Sequence, residues 1–117
     1  MKSVLLVSHG SQSPKTKEEV IGLVRKLKKS SVISIFEYAF LELETPSIPK
    51  GIDICIQKGA SEVIVLLNFL NSGRHVDKDI PNIIVQAQKK YPHIPIKVTN
   101  PVGQEEGIVD LFLKMIS

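Results

Sequence analysis

The hydrophobic pattern of the first forty residues predicts a strand, a helix and a second strand. Val4–Val7 is a short apolar run that ends at a turn, which is typical of a buried strand. Ser13 and Pro14 match a helix N-cap followed by proline at the first helical position, and apolar residues then recur at helical spacing. Val32–Leu41 is rich in β-branched and aromatic residues and predicts a strand, and Glu37 within it favours an edge position in the sheet.

The same alternation continues through the middle of the chain. Thr45-Pro46 repeats the cap-then-proline pattern, so a second helix is expected to begin there and to end at Gly59. Glu62–Leu70 is nearly all apolar and predicts the central strand of a parallel sheet. Asn71–His75 is polar and predicts a loop, after which a third helix is expected to end near Lys90.

The last part of the chain predicts one more strand and one more helix. Ile96–Thr99 is the fourth predicted strand. The final helix carries four apolar residues at positions i, i+3, i+4 and i+7, which are Ile108, Leu111, Phe112 and Met115. Strands that alternate with helices predict a single doubly wound α/β domain over residues 1–117. Its four-stranded parallel sheet is expected to have the order 2-1-3-4, with helices on both faces.

Composition and charge narrow the class of protein. The chain has 117 residues, 43% hydrophobic and 23% charged, as expected of one folded domain. A net charge of +3 and the absence of Trp argue against a nucleic-acid partner. No apolar run is long enough to span a bilayer or to form a signal peptide, so no membrane partner and a cytoplasmic location are expected. The single cysteine, Cys55, excludes an internal disulfide and a multi-cysteine zinc site.

Two of the three histidines fall where an open α/β sheet binds its ligands. In such sheets the site lies beyond the carboxyl ends of the strands, where the winding reverses. In the order 2-1-3-4 that point lies between strands 1 and 3, which His9 and His75 follow. Glu42 ends strand 2 at the same edge, whereas His93 precedes strand 4 and is expected at the surface. Two imidazoles on neighbouring strand ends predict a site where both side chains bind one metal ion.

Three stretches of the chain also form a recognisable pattern, in order and in spacing. They are Leu5–Ser11, then Phe40–Glu42 with Pro46–Pro49, then Phe69–Leu70 with Gly73–Val76 and Asp79–Pro81. This pattern resembles the short CbiX-type sirohydrochlorin chelatases of the class II chelatase family, and the resemblance runs from residue 4 to about residue 112. It implies that the chain corresponds to one half of the larger members, which carry two such halves.

The resemblance implies an enzyme of the lyase class. Members of the family insert Co²⁺ into sirohydrochlorin, an acidic tetrapyrrole, with release of two protons in the anaerobic route to cobalamin. Relatives insert nickel for coenzyme F430 or iron for siroheme, so Ni²⁺ and Fe²⁺ are the alternative metals. The family uses no organic cofactor and no ATP, and its short members work as homodimers.

The resemblance also assigns roles to particular residues. His9 matches the first metal-binding histidine and proton acceptor, His75 matches the second metal-binding histidine, and Glu42 matches an acidic catalytic residue that faces the site. Many members have Glu-Pro where this chain has Thr45-Pro46, so the acidic substrate contact of the family is replaced here. The residues expected to touch the tetrapyrrole are Thr45, Leu70, Asn71, Ser72, Gly73, Arg74 and His75.

Two other classes of function remain open at this point. The His9-Gly10 pair after strand 1 is similar to the Arg-His-Gly of histidine-type phosphatases, but Ser8 stands where those enzymes have the phosphate-binding arginine. A non-catalytic metal carrier or tetrapyrrole-binding module would use the same histidines without inserting the ion. A phosphatase assay separates the first from a chelatase, and the absorption spectrum of the macrocycle separates the second.

Overall fold

Four strands and four helices alternate along the chain in the computed structural model, which describes residues 1–117. The strands are β1 (Lys2–Ser8), β2 (Ile35–Phe40), β3 (Glu62–Leu67) and β4 (Ile96–Val98). The helices are α1 (Pro14–Ser30), α2 (Ile48–Gln57), α3 (Ile80–Lys90) and α4 (Gly107–Ile116). One π-helical turn, His75–Asp79, precedes α3, and a 3₁₀ turn, Val102–Gln104, precedes α4. The predicted alternation of strands and helices is confirmed.

The four strands form one parallel sheet in the order β2-β1-β3-β4. This confirms the predicted order 2-1-3-4. It also places β2 at an edge, as Glu37 suggested, where the Glu37 carboxylate pairs with the Lys58 ammonium at 2.8 Å. Ser8 of β1 is in register with Phe40 of β2, and Val7 with Leu67 of β3. The carboxyl ends of these three strands therefore meet at one edge of the sheet.

The two faces of the sheet are covered unequally. On one face, α2 and α3 pack on a core of 14 buried residues, among them Ile48, Ile52 and Cys55. Ile56 of α2 packs against the same core, one turn of the helix after Ile52. The other face carries α1 alone, and only 6 buried residues, including Val20 and Val24, lie between α1 and the sheet.

Several predicted boundaries differ from the structure. Strand β2 begins at Ile35 instead of Val32, and β3 ends at Leu67 instead of Leu70. The predicted cap of α2 at Thr45-Pro46 is wrong, because Ser47 is the N-cap and its hydroxyl accepts the Lys50 N–H at 3.4 Å. Pro46 belongs to the preceding turn, where its carbonyl accepts the Phe40 N–H at 2.9 Å.

One further prediction needs correction near the carboxyl edge. The polar loop after β3 stops at Arg74, since His75 is already the first residue of the π-helical turn. The predicted final helix is confirmed as α4, and none of its residues is buried. None of the helices combines the length and the hydropathy needed to cross a bilayer.

Candidate metal centre

Backbone pairing beyond the ends of β1 and β2 places His9 beside Glu42. The Leu41 N–H donates to the Ser8 carbonyl at 2.9 Å, and the Glu42 N–H donates to the His9 carbonyl at 3.0 Å. The two side chains then meet, with Nε2 of His9 2.8 Å from Oε1 of Glu42. The other ring nitrogen of His9, Nδ1, lies 3.1 Å from the Gly10 carbonyl oxygen. Residues 33 positions apart in sequence are thus held together by the sheet itself.

Gly10 makes this close approach possible. Its φ of +104° lies in the left-handed region that side-chain-bearing residues rarely adopt. A Cβ atom at this position would lie 1.8 Å from the Glu42 carbonyl oxygen. Any larger residue would therefore push the turn after β1 away from the end of β2 and separate His9 from Glu42.

His75 reaches the same place from the π-helical turn after β3. The centroids of the His9 and His75 rings are 5.1 Å apart, with an angle of 63° between the ring planes. Nδ1 of His75 lies 2.7 Å from Oδ2 of Asp79, four residues further along the turn. This contact leaves Nε2 of His75 free to bind an ion. Sequence reasoning missed Asp79, although the i, i+4 spacing of a carboxylate after His75 could have revealed it.

His9, Glu42 and His75 form a set of three potential metal ligands. One ligand atom from each lies within 4.8 Å of the others. Two nitrogens on one ion are at most about 4.2 Å apart, so small side-chain rotations suffice to close the set. The side chains of His9, Glu42 and His75 are 44%, 47% and 45% exposed, which leaves the ligands open to an incoming ion. Two imidazoles and one carboxylate suit cobalt, nickel, iron or zinc better than calcium or magnesium.

A hollow of about 110 Å³ opens beside these ligands. Its walls are His9, Phe69 and the segment from Asn71 to Val76. The segment is supported from the far side by the 3₁₀ turn, where the Gln104 amide donates to the Ser72 hydroxyl at 3.0 Å. The predicted contact residues Asn71, Ser72, Gly73, Arg74 and His75 therefore all line one hollow with His9.

Two other predicted contact residues lie outside this hollow. Leu70 is not among its walls, and its side chain is 63% exposed. Thr45 lines a different hollow beside α1 and α2, where its carbonyl accepts the Lys17 ammonium at 2.7 Å. The neighbouring Glu44 turns toward β1 and accepts the Ser11 N–H at 2.8 Å. His93 is exposed in the connection between α3 and β4, as predicted.

A second cluster of titratable groups lies in the seam between α2 and α3. The Tyr91 hydroxyl donates to Oδ1 of Asp53 at 2.5 Å, and the Lys90 ammonium donates to the same oxygen at 3.1 Å. These hydrogen bonds, that from Tyr91 above all, hold the pKa of the Asp53 carboxyl below its ordinary value of 3.8. This cluster contains no metal-ligating nitrogen.

The residue before His9 bears on the phosphatase alternative. Ser8 is buried, and its hydroxyl accepts a hydrogen bond from the Asn68 amide at 3.0 Å. The side chain at this position is therefore turned into the protein between β1 and β3. It does not offer a positive charge to a phosphate beside His9.

The amino-acid sequence matches one protein family and several characterised proteins. A profile of the CbiX family matches residues 3–117. The chain is 32% identical over 117 residues to the sirohydrochlorin ferrochelatase of Priestia megaterium, covering 100% of this chain and 44% of that protein. It is 31% identical over 111 residues to the sirohydrochlorin cobaltochelatase of Sulfolobus acidocaldarius, covering 95% of this chain and 86% of that protein.

A solved structure of a chelatase has a similar fold. The sirohydrochlorin chelatase SirB from Bacillus subtilis subspecies spizizenii, in complex with cobalt, matches with a TM-score of 0.86 and 31% identity. The match covers 98% of this chain and 50% of that one. The chain thus spans half or less of the length of SirB and of several curated relatives, but most of the Sulfolobus protein.

Proposed function

Because this chain belongs to the CbiX family, we propose that it is a sirohydrochlorin chelatase, an enzyme of the lyase class. The reaction exchanges the two pyrrole N–H protons of the macrocycle for one divalent metal ion. The observation that carries the proposal is the meeting of His9, Glu42 and His75, from three separate parts of the chain, at one strand edge. No organic cofactor enters the reaction.

In this proposal the two histidines capture the metal ion, which is a substrate. His75 binds through Nε2, because Asp79 holds its Nδ1 at 2.7 Å and fixes the ring orientation. His9 binds through Nε2 after the ion displaces the hydrogen bond to Glu42. Two imidazoles leave further coordination positions open, into which the nitrogens of the macrocycle can enter as the ion is transferred.

His9 and Glu42 also accept the protons that leave the macrocycle. When the ion has moved on, Nε2 of His9 is again free to accept a proton as a general base. Glu42, at 2.8 Å, stabilises the resulting imidazolium and passes the proton to water, to which its side chain is 47% exposed. The ligand set thus serves both halves of the exchange.

The segment from Leu70 to His75 is the proposed contact surface for the macrocycle. Its exposed backbone N–H groups and Arg74 are suited to the carboxylates at the rim of the substrate. Thr45 lines a separate hollow. A macrocycle bound at His9 therefore contacts Thr45 only if the rim of the macrocycle extends across the carboxyl end of β2.

We propose cobalt as the metal and a homodimer as the working form. A relative of comparable length, from Sulfolobus, is named for cobalt, and of two longer Priestia megaterium relatives the one that is 37% identical is named for cobalt and the one that is 32% identical for iron. The small hollow beside His9 is open on one side and has room for only part of a tetrapyrrole. The longer relatives extend well beyond the region that this chain matches, and a second copy of the chain would supply an opposite wall for the macrocycle.

A spectroscopic experiment tests the proposed reaction. Purified protein, sirohydrochlorin and Co²⁺, Ni²⁺ or Fe²⁺ are mixed separately, and the insertion rate is read from the absorption spectrum of the macrocycle. Each rate is compared with the uncatalysed background rate for the same ion. We expect Co²⁺ to show the largest enhancement.

Three results would contradict parts of this proposal. Enhancement only with another ion refutes the choice of cobalt. Binding of metal and tetrapyrrole without any spectral change identifies a carrier instead of an enzyme. Hydrolysis of a generic phosphoester in place of insertion identifies a phosphatase.

A further inference from the structure

A leucine in an unfavourable backbone conformation follows Glu42 in the turn after β2. This residue, Leu43, has a φ of +68° and is the only residue other than glycine with a positive φ. The Glu44 N–H donates to the Glu42 carbonyl at 2.8 Å, which closes a three-residue turn around Leu43. Left-handed backbone is unfavourable for leucine, whereas glycine and asparagine adopt it more readily. The shape of the turn therefore does not account for a leucine at its centre.

The packing of the protein does not account for this leucine either. The Leu43 side chain is 61% exposed and belongs to the core on neither face of the sheet. A Cβ placed on Gly10 would lie 3.6 Å from the Leu43 Cβ, so the side chain begins beside the turn that carries His9. An exposed apolar side chain in a strained backbone conformation points to a function outside the folding of the chain.

The contacts on both sides of Leu43 hold the strained turn in place. Before it, the Glu42 N–H donates to the His9 carbonyl at 3.0 Å. After it, Oε1 of Glu44 accepts the Ser11 N–H at 2.8 Å. The two neighbours of Leu43 are thus fastened to the residues around His9, and a strained residue persists where its surroundings fix it in this way.

Leu70 has a similar position on the other side of β1. It follows β3 as Leu43 follows β2, and its side chain is 63% exposed. The 3₁₀ turn supports its backbone, because the Gly103 N–H donates to the Phe69 carbonyl at 3.1 Å. A Cβ on Gly103 would lie 1.8 Å from the Leu70 carbonyl oxygen. Since β1 lies between β2 and β3, two exposed leucines flank the strand end that carries His9.

We propose that Leu43 contacts the apolar face of the tetrapyrrole, with Leu70 doing so on the other side of His9. This inference rests on the proposed chelatase function and adds Leu43 to its substrate contacts. A metal ion reaches the pyrrole nitrogens through the face of the macrocycle, because carbon atoms close its rim. The macrocycle must therefore lie face-on over His9 and His75 during transfer. Apolar side chains on both sides of these ligands then meet that face.

The fixed turn makes Leu43 an effective contact. Burial of the exposed part of one leucine side chain corresponds to about a 10-fold gain in affinity. Because the backbone on both sides of Leu43 is already held, binding orders little of the chain, and little of this gain is lost. The strain is present in the protein before the substrate arrives and does not weaken binding.

Two substitutions of Leu43 test the contact by titration of metal-free sirohydrochlorin, followed by absorbance. Leu43→Asn removes the apolar surface and should raise the Kd by about 10-fold. Leu43→Met keeps an apolar side chain and should bind near the wild-type Kd. Val85→Asn is the matched control, because Val85 is a 50% exposed apolar residue on α3. It should also bind near the wild-type Kd, and equal affinity of Leu43→Asn would overturn the proposal.

Stability provides a second readout, which should change in the opposite direction. Asparagine tolerates left-handed backbone, so Leu43→Asn should unfold at a higher urea concentration than the wild type. Weaker binding by a more stable protein is a combination that damage to the fold does not produce. A lower urea midpoint would show that the leucine stabilises the fold, and this result would also overturn the proposal.

Two further measurements exclude indirect effects of Leu43→Asn. Isothermal titration with Co²⁺ alone should give the wild-type affinity, and a parallel loss would mean that Leu43 acts only through Glu42. Light scattering should give the wild-type mass, and a smaller mass would mean that Leu43 contacts another copy of the chain. Either of these two results would overturn the proposal.

The contact and the proposed reaction can fail separately. A wild type that inserts metal, together with a Leu43→Asn protein that binds sirohydrochlorin equally well, refutes the contact alone. A wild type that binds sirohydrochlorin through Leu43 but inserts no metal refutes the reaction alone. A wild type that does not bind sirohydrochlorin refutes both.

Discussion

Two clusters of hydrogen-bonded polar side chains differ in what they leave free. At the carboxyl edge of the sheet, Glu42 and Asp79 each bind one nitrogen of a histidine. In the seam between α2 and α3, Asp53 receives both the Tyr91 hydroxyl and the Lys90 ammonium. The seam ties two helices together with its polar atoms, whereas the edge orients imidazoles that can still bind an ion.

The contrast shows that a shifted pKa does not by itself locate a functional site in this protein. The hydrogen bond from Tyr91 lowers the pKa of Asp53, as expected of a carboxylate that fastens one helix to another. The carboxyl edge of the sheet is distinguished instead by its imidazole nitrogens, which can bind a metal ion, and by the exposure of the side chains that carry them. Substitutions in the edge should therefore change activity at constant stability, and substitutions in the seam should do the opposite.

The largest effect is expected from removing an imidazole. His9→Ala or His75→Ala should lower the metal-insertion rate by about 100-fold or more, because each removes a ligand of the captured ion. The free energy of unfolding should change by no more than about 0.5 kcal/mol, since both side chains are half-exposed. Insertion is followed by absorbance, and unfolding by urea titration.

His93→Ala is the matched control for both variants, because His93 is an exposed histidine far along the chain from the edge. It should leave both rate and stability unchanged. Normal turnover by His9→Ala or His75→Ala would remove the assignment of these residues as metal ligands.

A smaller effect is expected from the residue that orients His75. Asp79→Asn keeps the shape of the side chain but weakens the hydrogen bond to Nδ1, so affinity for Co²⁺ should fall by about 10- to 100-fold. Isothermal titration with the metal alone measures this loss. Asp77→Asn is the control, because Asp77 is exposed in the same turn. Equal affinities for the two variants would show that Asp79 does not support the ligand.

The smallest effect on the insertion rate is expected from a substitution in the seam between α2 and α3, where stability should change instead. Tyr91→Phe removes the hydroxyl that donates to Asp53 and should lower the free energy of unfolding by about 1 to 2 kcal/mol, with an unchanged insertion rate. Tyr38→Phe, on β2, is the control. A folded Tyr91→Phe protein with impaired insertion would break the division between seam and edge.

The difference in unfolding free energy between the wild type and Tyr91→Phe should depend on pH, because the pKa of Asp53 is lowered in the folded protein. Its contribution to stability is fully present above the ordinary value of 3.8 and is lost as pH falls through the lower folded-state value. The gap in unfolding free energy between wild type and Tyr91→Phe should therefore narrow below pH about 4. Urea titrations at several pH values measure the gap.

The sequence predicted the sheet order and the pairing of the two histidines because both follow from topology. Apolar runs identify strands, right-handed crossovers limit their order, and the order alone brings His9 to His75. Topology also predicted Glu42 at this edge, and the resemblance to a known family gave it a catalytic role. The pairing of β1 and β2 places it 2.8 Å from His9. These features do not depend on the details of side-chain packing.

What the sequence did not predict depends on local backbone geometry or on the packing of helices against the sheet. The cap of α2 is at Ser47 instead of Thr45, because Pro46 is used to close the turn after β2. Asp79 becomes a partner of His75 only when the residues between them form a helical turn. The apolar pattern of α4 correctly predicts a helix, but periodicity does not show that its apolar side chains stay exposed in the single chain.

In the proposed reaction, the half-exposed side chains of His9 and His75 govern how long a captured ion stays bound. Deeply enclosed donors would make release slow, and each bound ion would then block the next turnover. Accessible imidazoles allow water and incoming pyrrole nitrogens to replace them one after another. A metal ion should therefore stay bound to such a centre only briefly, and the purified protein should exchange bound metal rapidly with a chelator in solution.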